Sequence, residues 1–269
     1  MPMKSDARRF YRHATVVRAT HWINALCLVF LLMSGLNIFN ARPDLYLGSR
    51  SSFHHPVLSI GADDSGANPK GVTTILGHKF TTTGVLGVSG EGDERAFPAW
   101  STIPSDYDLA TARRWHFLFA WIFVLNGLLY LTFSVTSGHL RRDLVPKRAE
   151  FAKIGPTFLD HLRLHFPHGE EAKRYNVMQM ISYLIVGFVL LPIMVLAGWS
   201  MSPGVDSLAH FLPQLFGGRQ SARTIHFAIA WLLVLFTIVH LLMVLISGVW
   251  NNVRSMITGR YDLGEERPS

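Results

Sequence analysis

Between residues 224 and 246 the chain reads TIHFAIAWLLVLFTIVHLLMVLI. This stretch contains no Asp, Glu, Lys or Arg, and a helix needs about 20 mostly apolar residues to cross the hydrocarbon core of a bilayer. A segment inside a bilayer must satisfy its backbone hydrogen bonds internally. The stretch therefore predicts a transmembrane helix, and it carries two histidines, His226 and His240, on that helix.

Three further segments have the same apolar character. Together with the first they predict spans at 20–40, 115–138, 176–199 and 224–249. A tryptophan lies near an end of each span: Trp22, Trp115, Trp199 and Trp250. Amphipathic rings prefer the headgroup zone of a membrane. No internal repeat divides the sequence, so residues 1–269 are predicted to form one all-α domain, an integral membrane four-helix bundle.

The composition is typical of a membrane protein. Charged residues make up 16% of the chain and hydrophobic residues 49%, with a mean hydropathy of +0.25, whereas soluble domains carry about 25% charged residues. The net charge of +7 does not indicate a nucleic-acid partner, because membrane proteins concentrate basic residues in cytoplasmic loops. Cys27 is the single cysteine, which excludes an internal disulfide, C-x-x-C metal sites and covalent haem attachment.

Four spans place both termini on one side of the membrane. That side, residues 1–20, 138–175 and 249–269, holds 16 Lys and Arg residues, and the opposite side, residues 40–114 and 200–223, holds nine. The positive-inside rule therefore predicts that both termini are cytoplasmic in a bacterial inner membrane. Residues 41–114 then form a long periplasmic loop. Its many Gly, Pro, Ser and Thr residues predict an ordered but irregular cap, and a loop of this length usually serves a function.

Histidines inside the spans are the first candidates for a functional site, because ionisable groups are costly in hydrocarbon. They are His21, His116, His226 and His240. Fourteen residues are nearly four helical turns, so His226 and His240 share one face within about 40° and lie about 21 Å apart along the axis. Because successive spans alternate in direction, we expect His21 to pair with His240 at the inner level. By the same argument, His116 pairs with His226 at the outer level.

Two imidazoles from different helices suit a haem better than a zinc ion. Zinc needs four ligands, and no acidic residue accompanies the histidines within the spans. A porphyrin supplies four nitrogens and leaves two axial positions to the protein. The pattern therefore predicts two bis-histidine b-type haems that transfer electrons. For each histidine taken singly, a hydrogen-bonded role between helices is the alternative.

Arginines flank the histidines at the predicted water interface: Arg18, Arg113, Arg114 and Arg223. Their guanidinium groups can pair with haem propionates, and we assign Arg18 and Arg114 to this role. An interface role that sets the topology explains them equally well. Glycines that let a flat ring approach a helix, or let two helices pack closely, lie in or near the spans: Gly35, Gly127, Gly187, Gly198 and Gly248.

The sequence around these histidines resembles a known family. The run Arg18-Ala19-Thr20-His21-Trp22-Ile23-Asn24-Ala25, followed by Ser34-Gly35-Leu36, is similar to the first helix of the membrane di-haem cytochrome b superfamily. That group includes the formate dehydrogenase gamma subunit, the nickel–iron hydrogenase b-type cytochrome and bacterial cytochrome b561. The start of the second span, Arg113-Arg114-Trp115-His116-Phe117, matches as well. So does the spacing of His226 and His240, and the long loop looks most like the thiosulfate-reductase-type branch.

The resemblance implies a subunit that passes electrons between a periplasmic oxidoreductase, molybdopterin-containing or similar, and quinone near the inner haem. In the formate dehydrogenase gamma subunit, polar residues that open the third helix line the quinone pocket. The run Tyr175-Asn176-Val177-Met178-Gln179 matches that element, so Asn176 and Gln179 are the quinone-binding candidates. A helix cap at Asn176 and a polar interface residue at Gln179 are the alternatives.

The sequence thus predicts a di-haem, quinone-reactive cytochrome b subunit of a respiratory chain. Its predicted partners are membrane lipid, quinone and a periplasmic redox enzyme, with no nucleic acid. One alternative is a stand-alone b561-type superoxide or quinol oxidoreductase, against which the long loop argues. The other is a haem-free transporter of metal or protons, against which the lack of acidic residues within the spans argues.

Overall fold

The computed structural model describes residues 9–90, 92–152, 154–162 and 176–262. Within these ranges, four helices are long and apolar enough to cross a membrane: Thr15–Asn40, Leu109–Thr136, Val177–Ser200 and Arg219–Ile246. The first, second and fourth are the unbroken helices α1, α2 and α9. The prediction of four helices with the length and composition of membrane spans is confirmed.

Three of the four long helices begin earlier than the predicted spans. α2 begins at Leu109 instead of 115, and α9 begins at Arg219 instead of 224. Charged residues end an apolar run without ending a helix, because Arg has a good helix propensity and its long side chain can reach water. α9 ends at Ile246, two residues before Gly248, whose φ of 103° departs from a right-handed helix.

The third long helix contains a π segment. It starts as α5, Val177–Ile185, widens over Val186–Leu190 and continues as α6, Leu191–Ser200. Pro192 has no backbone N–H, and its ring crowds the carbonyl of Phe188 four residues earlier. A π segment absorbs such a break without ending the helix.

The remaining helical elements are short. A π turn, Leu140–Leu144, follows α2 and leads to α3, Arg148–Phe151, and α4, Ile154–Leu162. Two short helices precede α9, namely α7, Pro203–Asp206, and α8, Phe211–Leu215. An amphipathic helix, α10, Val249–Thr258, follows it.

Residues 41–114 contain a four-stranded antiparallel sheet, so the all-α prediction is wrong here. The strands are β2 (Asp44–Leu45), β3 (Leu58–Asp63), β4 (Lys70–Ile75) and β5 (His78–Thr81), and each pairs with the next along the chain. β-branched residues such as those of Val72-Thr73-Thr74-Ile75 favour strands. Leu76 and Gly77 both have positive φ, as a two-residue hairpin turn requires. The glycines that predicted an irregular cap lie partly in such turns.

The chain divides into two compact units. The terminal unit comprises the described residues of Met1–Ile23, Leu125–Pro192 and Leu232–Ser269. The loop unit comprises those of Asn24–Val124 and Ile193–Trp231. Each of the four long helices contributes one part to each unit.

The core of the loop unit joins α1 to the sheet. Its buried apolar side chains are Leu36, Phe39, Leu45, Ile60, Ala96 and Phe97. At the end of α1, Asn40 bonds the backbone of Phe97 twice: its Nδ2 donates to the carbonyl at 3.1 Å, and its Oδ1 accepts from the N–H at 2.7 Å. Arg223 of α9 donates to the backbone carbonyls of Arg42 and Asp44. These contacts hold the loop against α1 and α9.

The two ends of the described chain meet in the terminal unit. β1 (Arg9–Tyr11) pairs antiparallel with β6 (Arg260–Asp262). Just after β1, the N–H of Arg12 donates to the carbonyl of Gly259 at 2.8 Å, and the side chain of His13 is buried. The resulting clasp holds the start of α1 against the end of α10.

The long helices expose large apolar side chains. On α2, Leu125, Leu128 and Leu129 are each more than half exposed. Soluble proteins rarely expose apolar surface in continuous stretches, whereas helices in lipid need it. The surface of these helices is therefore that of a membrane protein.

Candidate functional site

The structure brings His21 of α1 and His240 of α9 together in the terminal unit. Their ring centroids are 6.3 Å apart, and the ring planes cross at 56°. Trp22 presents an edge contact to His21 at 5.4 Å, and Phe236 stacks on His240 at 5.9 Å. Both imidazoles are half-buried. This is one of the two pairs expected from helix direction and spacing.

His116 of α2 and His226 of α9 form the other pair, in the loop unit. Their ring centroids are 6.2 Å apart, and the planes cross at 62°. Both rings are again half-buried. Each pair therefore takes one imidazole from α9 and one from a different helix, α1 or α2.

Hydrogen bonds fix the orientation of both rings in the loop unit. The Ser34 hydroxyl donates to the carbonyl of Phe30 at 2.5 Å and lies 3.1 Å from Nδ1 of His116. Its hydrogen is thus engaged, so its oxygen accepts from Nδ1–H. His226 donates from Nδ1 to the carbonyl of Met194 at 2.9 Å. An imidazole that donates from Nδ1 keeps a lone pair on Nε2, as a metal ligand requires.

Two of the five glycines predicted to matter lie directly against these rings. A Cβ on Gly35 would stand 3.4 Å from Cε1 of His116, and one on Gly198 would stand 3.2 Å from Cε1 of His226. Gly127 and Gly187 would meet nothing within 4 Å. Gly35 and Gly198 therefore leave the space that the two imidazoles of the loop unit occupy.

The terminal-unit pair is held differently. Nδ1 of His21 is buried and has no hydrogen-bond partner among residues 9–90, 92–152, 154–162 and 176–262. Burying a polar nitrogen without a partner is costly. Among the described residues, His21 therefore lacks the hydrogen bond at Nδ1 that orients His116 and His226.

The separation of the rings fits one metal between each pair. An imidazole nitrogen binds a transition metal at about 2 Å, and the ring centroid lies about 1 Å behind it, so two axial imidazoles have centroids about 6 Å apart. The observed separations are 6.2 and 6.3 Å. Within the described part of the chain, no group of three or more His, Cys, Asp and Glu residues could hold a bare metal ion. Two imidazoles suffice for haem iron, so the donor set fits b-type haem.

The flanking arginines have structural partners or face outward. Arg18 donates to the carbonyl of Ile257 and, at 3.0 Å, to Thr15 Oγ1, which ties α1 to α10. Arg113 stacks over Phe117 at 5.6 Å. Arg114 is exposed. Their predicted role toward haem propionates stays a prediction.

Asn176 and Gln179 form a capping box at the start of α5. Oδ1 of Asn176 accepts from the N–H of Gln179 at 2.8 Å, and Oε1 of Gln179 accepts from the N–H of Asn176 at 3.2 Å. The structure therefore gives both residues a capping role, which for Asn176 was the alternative considered. Their quinone-binding role stays a prediction, and Tyr175 of the same motif lies outside the described residues.

Sequence reasoning missed three groups at or near the site. Ser34 had a signal, because it precedes Gly35 in the motif shared with the cytochrome b superfamily. The carbonyl of Met194 had none, because any residue provides one. The third group is a hydrogen-bonded pair, in which Nδ1 of His139 lies 2.7 Å from Oδ2 of Asp143. Its four-residue spacing was a usable signal.

Comparison with known proteins identifies the family of the chain. A family model for prokaryotic cytochrome b561 matches residues 12–259. The provisionally named protein-methionine-sulfoxide reductase subunit YedZ1 of Azospira oryzae is 28% identical over 232 residues, which cover 86% of this chain and 89% of that protein. No solved structure matches the chain. Because the family match includes all four long helices and both histidine pairs, the chain belongs to the prokaryotic cytochrome b561 family.

Proposed function

We propose that this cytochrome b561 family member is a di-haem, quinone-reactive subunit. It transfers electrons between a periplasmic redox enzyme and the quinone pool of the bacterial inner membrane. The observation that carries the proposal is the presence of two imidazole pairs, each from two helices, with centroids 6.2 and 6.3 Å apart. A bis-histidine haem iron takes up and releases single electrons and has no open position for oxygen.

Four histidines would hold the haems, and neighbouring groups of the protein orient two of these histidines. His21 and His240 would hold one haem, and His116 and His226 would hold the other. In the loop unit, Ser34 and the Met194 carbonyl keep the hydrogen on Nδ1, so Nε2 would be free to bind haem iron. The neutral imidazoles add no net charge to an apolar site, which limits the cost of burying them.

The two units have different partners. The loop unit carries both the sheet and the His116/His226 pair, so it supplies a docking face and an electron-transfer group for the periplasmic enzyme. The terminal unit carries the His21/His240 pair together with Asn176 and Gln179, the quinone candidates. The excess of basic residues around the termini supports a cytoplasmic position for this unit.

The partner class is supported by two likenesses. The resemblance to the cytochrome b superfamily implies a molybdopterin-containing or similar oxidoreductase. The relative YedZ1 is named as a subunit of a protein-methionine-sulfoxide reductase. A reductase consumes electrons, so a partner of this class requires the flow of electrons from quinol through this subunit to the periplasm.

Haem counting tests the proposal. The pyridine haemochrome assay should find two b haems per chain in wild-type protein. His240→Ala and His226→Ala should each lose one haem, because each removes an axial ligand of a different pair. His78→Ala, in the exposed strand β5, is the control and should keep both. A His226→Ala protein with two haems and native spectra would contradict the pairing, and colourless wild-type protein would favour a haem-free transporter.

Gentle solubilisation then separates a subunit from a stand-alone oxidoreductase. A subunit should co-purify with a redox enzyme that reoxidises its haems when the substrate of that enzyme is added. A haem protein that purifies alone and is reoxidised by superoxide would favour the stand-alone function.

A further inference from the structure

A second group of titratable side chains lies in the terminal unit, apart from the histidine pairs. Nδ1 of His139 and Oδ2 of Asp143 are 2.7 Å apart, with 13% and 34% of the two side chains exposed. Gly138, with a φ of 71°, ends the helical run of α2. The π turn Leu140–Leu144 then places Asp143 one turn beyond His139. We refer to His139 and Asp143 as the dyad.

Side chains from the π turn, α2 and the segment after β1 face the dyad, and a side chain of α5 faces those side chains in turn. On the π turn itself, Arg142 donates to Asp143 from Nε and Nη2, both at 3.3 Å. On α2, the ring of Tyr130 meets that of His139 edge-on at 6.4 Å. From the segment after β1, the buried His13 interacts electrostatically with His139. From α5, Tyr183 interacts electrostatically with Tyr130 and with Arg12 of that same segment.

The dyad is set up to accept a proton. Burial raises the pKa of Asp143, but hydrogen bonds from Arg142 and His139 lower it by more than burial raises it. The pKa of Asp143 therefore lies below its usual range. Asp143 is therefore a carboxylate near neutral pH. A carboxylate bound to one imidazole nitrogen orients the ring and stabilises its protonated form, while the other nitrogen stays available to a substrate.

The proposed function needs such a base. A quinol that gives up two electrons also releases two protons, and the amides of Asn176 and Gln179 do not titrate. The four haem-ligand histidines cannot take a proton on the nitrogen that binds iron. The π turn that carries Asp143 packs against α5, and the quinone candidates cap the start of α5. The dyad is therefore a titratable base on an element that touches the predicted quinone-binding helix.

Resting on the proposed function, we propose that the dyad is the proton acceptor for quinol oxidation in the terminal unit. A quinol O–H bond breaks, the proton goes to Nε2 of His139, and Asp143 stabilises the resulting imidazolium from Nδ1. The electron would go to the haem that His21 and His240 hold in the proposed function, and that haem would pass it on toward the periplasmic partner before the second electron arrives. After the dyad passes its proton to water at the exposed side of Asp143, the second O–H follows the same course. Two electrons and two protons leave per quinol, and quinone is released.

Stopped-flow reduction of the holoprotein by duroquinol tests this assignment. In His139→Gln the rate should fall at least tenfold, because general bases contribute about 10²–10⁴-fold to such steps. Reduction by dithionite and the haem content should stay at wild-type values. Because a base must be unprotonated to accept a proton, the wild-type rate should fall at acid pH, and this acid limb should vanish in His139→Gln. A purely structural role for His139 would not remove the acid limb.

The Asp143→Asn variant tests the dyad through its second member. Without the carboxylate, the imidazole of His139 loses the group that orients it, so the rate of reduction by duroquinol should fall toward that of His139→Gln. As a readout independent of electron transfer, the quinol analogue 2-heptyl-4-hydroxyquinoline N-oxide should bind at least fivefold more weakly to His139→Gln by fluorescence quenching, since it loses a hydrogen-bonding partner. His78→Gln, in exposed strand β5, should match the wild type in every measurement.

The outcomes separate this inference from the proposed function. If duroquinol reduces wild type and His139→Gln at the same rate, with the same acid limb, the dyad is not the base although the quinol reaction stands. If neither duroquinol nor decylubiquinol reduces the wild type while dithionite does, the quinone-reactive function fails, and the dyad assignment fails with it.

Discussion

Ser34 does for His116 what the Met194 carbonyl does for His226: each accepts the hydrogen on Nδ1. His21 has no such acceptor at its buried Nδ1 within the described ranges. An imidazole that donates from Nδ1 is a stronger ligand through Nε2. The loop unit therefore orients its two histidines more firmly than the terminal unit orients His21, and the two proposed haems should differ in retention and in midpoint potential.

Replacing Ser34 by Ala tests this difference. The variant deprives His116 of its acceptor, so haem affinity in the loop unit should fall about 10–100-fold, and the midpoint potential of that haem should rise because a weaker ligand stabilises ferric iron less. Haem transfer to apomyoglobin and a redox titration measure the two effects. Ser200→Ala is the matched control, because Ser200 is equally buried and bonds the Leu196 carbonyl at 2.8 Å. Equal behaviour of the two variants would show that Ser34 does not support His116.

His13 makes the terminal unit sensitive to acid. Its side chain is 8% exposed, and burial, helped by the positive charge of Arg12, lowers the pKa of His13 to about 4. The unfolded chain binds a proton at this residue below about pH 6.5, whereas the folded chain holds it neutral. The neutral His13 therefore contributes fully to the free energy of unfolding above pH 6.5. This contribution, up to about 3 kcal/mol, is lost as the pH falls from 6.5 to 4.

The thermal midpoint of the detergent-solubilised protein should consequently be lower at pH 4.5 than at pH 7. In His13→Gln, which has no proton to gain, the difference between the two midpoints should shrink. His54→Gln, at an exposed position of the loop unit, should keep the wild-type difference. Circular dichroism follows the unfolding, and an unchanged pH response in His13→Gln would refute the assignment.

At the scale of elements, local properties were predictable and long-range contacts were not. The bilayer demands about 20 apolar residues in a row, and this requirement is visible in 224–246 without any knowledge of the fold. Helix geometry fixes the directions of side chains, so the pairing of His116 with His226 followed from spacing. The sheet was missed because β2 has only two residues, and every residue of β5 is exposed. The Met194 carbonyl contact arises only when α6 packs against α9.

Asn40 connects the end of α1 to the loop segment at Phe97, and its loss should loosen the loop. Asn40→Ala removes both hydrogen bonds to Phe97 and leaves a buried N–H and a buried carbonyl without partners. Each unpaired group should lower the free energy of unfolding by about 1–3 kcal/mol. Limited proteolysis should then cut within 41–114 faster than in wild type. Asn68→Ala, at an exposed position between β3 and β4, should be cut at the wild-type rate. Equal rates for both variants would mean that other contacts suffice to hold the loop.

At the scale of the molecule, each compact unit contains one histidine pair and a different set of further features. The loop unit adds a polar sheet to its pair, and the terminal unit adds the dyad, the capped start of α5 and the clasp of the chain ends. Such a division suits a protein that exchanges electrons with one partner on each side of a membrane. The proposal therefore depends on which unit faces the periplasm.

Cysteine labelling in spheroplasts determines this orientation. Cys27 is buried, and Cys27→Ser provides a background free of cysteine. In that background, a membrane-impermeant maleimide should label Asn68→Cys in the loop unit and leave Ala149→Cys in α3 unlabelled until the membrane is broken. The reason is the distribution of Lys and Arg, 16 on the side of the termini and nine on the other, since basic loops resist translocation. Labelling of Ala149→Cys in intact spheroplasts would place the sheet in the cytoplasm and remove the periplasmic partner from the proposal.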